Sequence, residues 1–427
     1  MNNIIDRTTP PPFHIPEDVN VLFPAAAMSG NGVKLYSIEA GGQDVIRLSL
    51  VFRAGTRYQT RAFLASATLY MLAEGTERFS GTGISEKTDY YGANYEVNID
   101  RDYSMVSVYC LSKFLPEMLE LLEEIVAHPA FPEKELGLYK AKRKQQLTIE
   151  REKPSVRARE LFGEAMFGKD HPYGVVSPAE KYDELTPEHL RAFHKEFYGA
   201  DNCFAVTSGF VGKKDVEAIL RLLEKLPVAA APHDKDIPVP STIFSLSEER
   251  KDAVQTALRI GKLLFTREHP DFIGMQVLAT LLGGYFGSRL VSNLREEKGY
   301  TYGIFSAMVN LEHAGYLAVA TEVGAQFTEA AVKEIFAEIR RLREEPVGED
   351  ELNLVKSNIT GEFMRILDGP FGIADVTIEN IQCGKDNGYI RAFLDEVEKT
   401  TPERLRSLAK KYLQEEGFVT VTVGKTI

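Results

Sequence analysis

Tryptophan is absent from this 427-residue chain, and cysteine nearly so. Cys110, Cys203 and Cys383 are far apart and odd in number, which excludes a disulfide framework and a CxxC metal pattern and leaves buried thiols as the expectation. No stretch approaches the roughly 20 apolar residues of a membrane span. The opening MNNIIDRTTPPPFHIPEDVN has no basic segment followed by an apolar one, so a reducing cytoplasm is the expected compartment. Blocks of Lys and Arg are also missing. With a net charge of -12, nucleic acid and anionic membranes are disfavoured as partners. There is no low-complexity tract, and 44% apolar with 26% charged residues is the composition of a globular protein with a sizeable core.

What is present is a plan used twice. The chain is too long for one ordinary domain. TPEHLRAFHKEFY (Thr186 to Tyr198) is matched by TPERLRSLAKKYL (Thr401 to Leu413). Each opens with a Thr that can cap a helix and a Pro in its first turn, and each runs into a β-rich stretch, CFAVTSGFVG or FVTVTVGKT. The same offset of roughly 210 to 215 residues recurs in further pairs, the mark of a duplicated domain. LPEMLELLEEIVAH places Leu115, Met118, Leu119, Leu122, Ile125 and Val126 on one helix face; FTEAAVKEIFAEIRRL repeats it with Val332, Ile335, Phe336, Ile339 and Leu342. PEKELGLYK matches VGEDELNLVK, and TDYYGANYEV matches GYTYGIFSAM, which aligns Tyr91-Gly92 with Tyr302-Gly303.

In VIRLSLVF, Ile46, Leu48, Leu50 and Phe52 alternate with Arg47 and Ser49, which predicts a strand with one buried face. DYSMVSVYCL and GYLAVATEV read likewise. KLPVAAAPHDKDIPVPST carries four prolines and few large apolar residues, the composition of a linker. The reading is therefore an α+β protein of two homologous domains, each a mainly antiparallel sheet with helices packed on it: residues 1–230, a linker at 231–241 with the boundary near Ala231, and residues 242–427. LLGGYFGSRL lacks the Gly-Lys-Ser/Thr ending of a phosphate loop and reads as a helix turn with tight packing.

Two duplicated halves, an apolar helix running into Gly75-Thr76, HPYG at His171 to Gly174, and LREEKGYTYG at Leu294 to Gly303 together resemble the insulinase and pitrilysin-like zinc peptidases, on the processing-peptidase branch. The resemblance runs from about Val33 to the C-terminus. It implies an inverted zinc motif, His-x-x-Glu-His, just before the Gly-Thr pair, with a distant Glu as third ligand. This chain has Ser66, Leu69 and Tyr70 at the motif and Gln146 at the distant position. A hydroxyl, an alkyl group, a phenol and an amide cannot offset the dehydration of zinc. No two of the eight histidines are three or four apart; His189 and His194 read as solvated helix residues. The helix is therefore read as core, with no cofactor in this chain.

The resemblance also implies an Arg and a Tyr, seven residues apart, that hold substrate carbonyls. Arg295 and Tyr302 keep that spacing, with Gly299 placed to end the helix between them. Read by themselves, they are a solvated helix arginine and a half-buried strand aromatic. The stretch Tyr91 to Val97 matches the family's substrate-pairing sheet edge, or is an ordinary hairpin strand. Two functions follow. One is a non-catalytic, substrate-binding subunit, inactive alone, which joins a homologous zinc-bearing chain to cleave peptides, zinc being expected in that partner. The other is an inactive homodimeric peptide-binding or scaffold protein.

Overall fold

A computed structural model describes Thr8, Val19, residues 21–228 and residues 237–425. Residues 231–236 of the expected linker, Ala231 included, lie outside the described residues. The first half contains β1 (Ala25–Met28), β2 (Lys34–Glu39), β3 (Val45–Phe52), α1 (Leu64–Met71), α2 (Gly81–Tyr90), β4 (Asn94–Ile99), β5 (Ser104–Leu111), α3 (Leu115–Ala127), α4 (Glu133–Glu152), α5 (Pro154–Phe167), α6 (Pro187–Phe197), β6 (Cys203–Gly209) and α7 (Lys213–Leu223). The second contains β7 (Ser245–Glu249), β8 (Gln255–Leu263), α8 (Phe272–Ala279), β9 (Thr301–Asn310), β10 (Gly315–Gly324), α9 (Thr328–Glu344), α10 (Glu349–Leu367), α11 (Pro370–Gln382), α12 (Gly388–Lys399), α13 (Pro402–Tyr412) and β11 (Val419–Gly424).

The sheets run β1-β2-β6-β3-β5-β4 and β7-β11-β8-β10-β9. In each, the last strand of its half returns to lie between an early parallel neighbour and the central antiparallel hairpins: β2 and β6 are parallel, as are β7 and β11. The duplication is therefore one of topology as well as of words in the sequence. Thr186 and Thr401 cap α6 and α13 by accepting from the backbone N–H of His189 and Arg404, so both Thr-Pro-Glu signals act as helix starts. The apolar face of α3 is buried as its spacing predicts, and Ile335, Ile339 and Leu342 repeat this on α9.

The alignment of Tyr91-Gly92 with Tyr302-Gly303 shifts in space. Tyr91 ends α2 and Gly92, with φ 59°, turns the chain before β4 begins, whereas Tyr302 and Gly303 lie inside the longer β9. A second expectation is corrected at β3. Arg47, Ser49 and Val51 on its outer face are as buried as Ile46, Leu48 and Leu50 on the inner one. The cover is α11, from the other half: Ile373, Ala374 and Ile378 pack on Ile38, Val51 and Val206, and Arg47 Nη1 meets Asp375 at 2.6 Å. Alternation fails as a signal here because both faces of the strand are covered. The exchange is reciprocal. Helix α5, the counterpart of α11, lies on the second sheet, where Ala158, Leu161, Phe162 and Ala165 cluster with Ala257, Ala318, Val421 and Val423, and Arg157 pairs with Glu248 of β7 at 2.7 Å.

Between the exchanged helices an ionic cluster locks the halves together. Arg57 Nε is 2.8 Å from Asp102, and Arg57 Nη2 is 2.6 Å from Glu312, which also holds Arg53 at 2.5 Å. Asp102 takes the Tyr173 hydroxyl at 2.6 Å and the Glu312 N–H at 3.0 Å. Asp102 and Glu312 sit at the two equivalent hairpin turns, β4–β5 and β9–β10, one from each half.

The cysteines are free thiols; Cys110 is buried, while Cys203 and Cys383 are half-buried rather than sealed. Burial pushes the Cys110 thiol up to about 12. His194 is also corrected: it is buried, stacks on Tyr198 at 5.3 Å and hydrogen-bonds the Val126 carbonyl at 2.8 Å. His189 is half-buried and accepts from the Thr186 N–H as part of the α6 cap.

Removing the guanidinium in Arg57→Met takes away the only ion-pair partner of buried Asp102 among the described residues and leaves Glu312 to Arg53 alone, and is expected to lower stability by about 3–5 kcal/mol in urea unfolding. Burial foremost, with the charge of His128, lowers His194 from 6.5 to about 4. The unfolded chain then binds a proton between those values and the native state does not, so the contribution present above pH 6.5 is lost as pH falls toward 4. About 3 kcal/mol is at stake. His194→Gln is expected to flatten the pH dependence of the urea midpoint across this window.

Candidate functional site

The three positions that the resemblance assigns to the metal motif lie on α1. The helix starts abruptly: Phe63 takes a left-handed φ of 65° and stacks on Tyr182 at 4.0 Å between centroids. The strain of that conformation is offset by a buried aromatic pair. Ser66 turns inward along the helix and donates to the Phe63 carbonyl at 3.0 Å. Leu69 is fully buried in the core of the first half. Tyr70 is 39% exposed and its ring faces Tyr139 of α4 at 6.2 Å. The helix ends in a tight turn at Leu72–Glu74, and Gly75, with φ 157°, presses on Pro132: a Cβ there would stand 2.8 Å from its ring.

Helix α4 brings Gln146 to the same neighbourhood through a residue that the sequence reading missed. Arg143 lies between Tyr70 and Gln146: its guanidinium is 5.6 Å from the Tyr70 ring centroid, and its Nη1 donates to Gln146 Oε1 at 3.0 Å. The hydroxyl of Tyr182 is a further partner, and Tyr139 adjoins the same group. Burial, followed by Arg143, governs Tyr182, and burial pushes the Tyr139 phenol above its ordinary value. Tyr139, Arg143 and Gln146 are spaced i, i+4 and i+7 along α4, so one helix stripe carries all three. That spacing, counted outward from Gln146, was available in the sequence.

The donors at these positions do not fit zinc. A hydroxyl, a phenol and an amide stand at the three ligand positions and an alkyl group at that of the water-activating Glu, and a permanent guanidinium sits among them. Among the described residues, no three His, Cys, Asp or Glu side chains converge in a group that could hold a metal ion. Glu74 at the end of the helix is raised by burial and by the charge of Glu135.

Beside α1 lies an open sheet edge. β4 pairs with β5 alone and ends the first sheet, and Tyr95, Val97 and Ile99 anchor one face of it to the core. A cleft of about 500 Å³ runs between this edge, α2 and the end of the α1 segment, lined by Ala73, Glu74, Thr88, Asn94 and Tyr95 among others. The expected stretch Tyr91 to Val97 thus contains a turn and the first part of an edge strand.

In the second half, Arg295 belongs to a wide helical turn, Val291–Glu297, and Gly299 follows with a left-handed φ of 64°. The expected helix stop is therefore real. Arg295 is exposed and lies over the Phe286 ring at 4.8 Å. Tyr302 is 91% exposed on β9, the open edge of the second sheet. No hydrogen bond or ring contact joins Arg295 to Tyr302 among the described residues, so the two are presented on one surface segment without touching. Upstream, Gly283 packs so close to β9 that a Cβ would be 2.8 Å from the Ser306 nitrogen, the tight packing expected of LLGGYFGSRL.

Two equivalent α+β halves, exchanged helices and an edge strand beside α1 define the duplicated architecture of the inverted-motif metallopeptidases. The chain belongs to peptidase family M16, the insulinase family. Residues 35–174 match the profile described as Insulinase (Peptidase family M16), and residues 184–359 match that of the Peptidase M16 inactive domain. Relatives include an uncharacterized zinc protease of Rickettsia felis, 23% identical over 78% of this chain and 81% of its own. Another, from Bacillus subtilis, is 21% identical over 90% of this chain and 95% of its own. The fold is shared with a peptidase M16 inactive domain from Pseudomonas fluorescens, with a TM-score of 0.84 at 24% identity over 95% of this chain and 99% of that one. It is shared equally with a protease from Helicobacter pylori, with a TM-score of 0.83 at 18% identity over 94% and 99%. Among the described residues, no helix is long and apolar enough to cross a membrane.

The site yields a reconstruction test. Ser66→His, Leu69→Glu, Tyr70→His and Gln146→Glu together are expected to leave zinc content near zero while Arg143 remains, because its charge repels the ion. Adding Arg143→Ala is expected to raise bound zinc toward one per chain, as measured by elemental analysis of the dialysed protein. Leu69→Glu alone buries a carboxylate and is expected to destabilise by several kcal/mol.

Proposed function

We propose that this chain is the non-catalytic, substrate-binding subunit of a heterodimeric zinc metallopeptidase of the cytoplasm, paired with a homologous chain that carries the zinc. The observation that carries this reading is the contrast within one site. The positions assigned to the metal are filled by a packed leucine, two hydroxyl groups and an amide, with an arginine beside them, while the adjoining edge of β4 and its cleft are left open. An extended peptide can add to such an edge through backbone hydrogen bonds, whatever its side chains.

In the complex, zinc in the partner would supply the Lewis acid and the activated water. This chain would bind and orient. Arg295, held over Phe286, and Tyr302, projecting from β9, are both donors free to meet a substrate carbonyl as it gains negative charge. The exposure of Phe286, Tyr302 and Phe305 favours a second reading, a homodimeric peptide-binding protein, because exposed aromatic rings also suit a self-association surface.

A complex captured on a tagged copy of the chain from its native cells is expected to contain two different chains and about one zinc for the pair. A zinc-free homodimer by mass measurement would establish the second reading instead. With the heterodimer in hand, Arg295→Ala combined with Tyr302→Phe is expected to cut peptide turnover on the order of a hundred-fold. Unchanged turnover would remove the pair from the mechanism.

A further inference from the structure

A half-buried arginine normally has an acceptor beside it, because a desolvated charge without one is costly. Most here comply: Arg47 meets Asp375, Arg57 meets Asp102 and Glu312, Arg157 meets Glu248, and Arg289 meets Glu351. Two half-buried arginines at the junction of the halves do not, nor does an exposed one beside them. Arg101 in the β4–β5 turn, Arg159 on α5 and Arg259 on β8 have no side-chain hydrogen bond or ion pair among the described residues.

They are brought together by the helix exchange. Phe162, one turn beyond Arg159, lies over β8 so closely that a Cβ on Gly261 would stand 2.5 Å from its ring, which fixes α5 two residues along from Arg259. Tyr316 of β10 packs on Phe162 and Phe167 with centroids 6.1 and 5.9 Å away, and its hydroxyl is within the field of both Arg101 and Arg259. Arg159 is felt by both of those arginines in turn, and burial foremost, with this repulsion, holds each below the ordinary guanidinium value. Neighbouring carboxylates offset this repulsion through space, Asp102 at Arg101 and Glu322 at Arg259, but neither makes an ion-pair contact there among the described residues. Asp102 is engaged by Arg57, Tyr173 and the Glu312 N–H, and Glu322 lies near Arg259 without an ion-pair contact. Arg159 is exposed and the other two are half-buried, so the cluster is open to a ligand.

We propose that Arg101, Arg159 and Arg259, with the Tyr316 hydroxyl, form an oxyanion site between the halves that takes the side-chain carboxylate of an acidic peptide. Guanidinium forks match a planar carboxylate, and a neutral phenol adds a further donor. The peptide follows from where the site opens. Strand register sets Arg259, Ala320 and Phe305 in one row across the sheet, leading over a small alanine to the open edge β9. Two strand spacings, about 10 Å, separate the ends of that row, within the joint reach of an arginine and a glutamate side chain. The ligand named here rests on the peptide-binding reading above, but the site uses neither Arg295 nor Tyr302 and needs no zinc.

The test is the binding of a labelled glutamate-containing peptide and its glutamine counterpart to the full chain by fluorescence polarisation. The glutamate peptide is expected to bind more tightly, and Arg159→Gln and Arg259→Gln are each expected to weaken it roughly ten-fold or more without changing the glutamine peptide. The melting temperature of unliganded Arg159→Gln is expected to match or exceed that of the unaltered chain, since one member of a repelling cluster is gone. Equal binding of the two peptides, with no response to either substitution, overturns the site while leaving peptide binding intact. Binding of neither peptide overturns both readings. Displacement of the glutamate peptide by inorganic phosphate at equal concentration identifies a free-phosphate site and overturns the peptide assignment. A fall in melting temperature with the glutamate preference unchanged makes Arg159 structural and likewise overturns it.

Discussion

Neither sheet of this protein can bury its outer face with the helices placed over its inner one. That constraint organises the rest. Each half sends one helix, α5 or α11, across to the other's sheet, so two cores that could have closed separately become interdependent. Five aliphatic side chains at the α11 contact, Ile38, Val51, Val206, Ile373 and Ile378, each contribute on the order of 2 kcal/mol by leaving water. The Arg57–Asp102–Glu312 cluster sits where the two β-hairpin turns meet. Its net contribution to stability is small compared with its specificity, because buried charges must meet their partners in one arrangement.

The same exchange shapes the surfaces on which function depends. With both sheet faces covered, each sheet can extend at its edges, and two of these, β4 and β9, are equivalent under the duplication. The edges have diverged in use. β4 adjoins α1 and a cleft, where Arg143 and three tyrosines fill the neighbourhood of the metal positions. β9 carries exposed aromatic residues and leads toward arginines that have no hydrogen-bonded acceptor among the described residues. Beside α1, the Arg143 guanidinium packs among aromatic neighbours and keeps a positive charge beside Tyr70 and Gln146.

Much of this was legible from the chain. Thr186-Pro187 and Thr401-Pro402 announced two matching helices because capping is local chemistry, and the α3 and α9 faces followed from a period that packing on one side preserves. Gly299 was readable as a helix stop because a left-handed residue favours glycine. Where reading failed, a distant element had intervened. Arg47 and Ser49 looked like a solvated face until α11 covered them, and His194 looked solvated until α3 supplied the Val126 carbonyl.

The sequence by itself determined the duplicated α+β plan, the helix starts and stops, and the absence of zinc-binding side chains at Ser66, Leu69, Tyr70 and Gln146, since each depends on residue type at a local spacing. Only the tertiary structure decided that the halves trade helices, that Arg143 stands beside those four positions, and that Arg101, Arg159 and Arg259 gather with no ion-pair contact among the described residues. Those facts join residues far apart in the chain. Their encounters are set by which faces must be buried together, and no local pattern records that requirement.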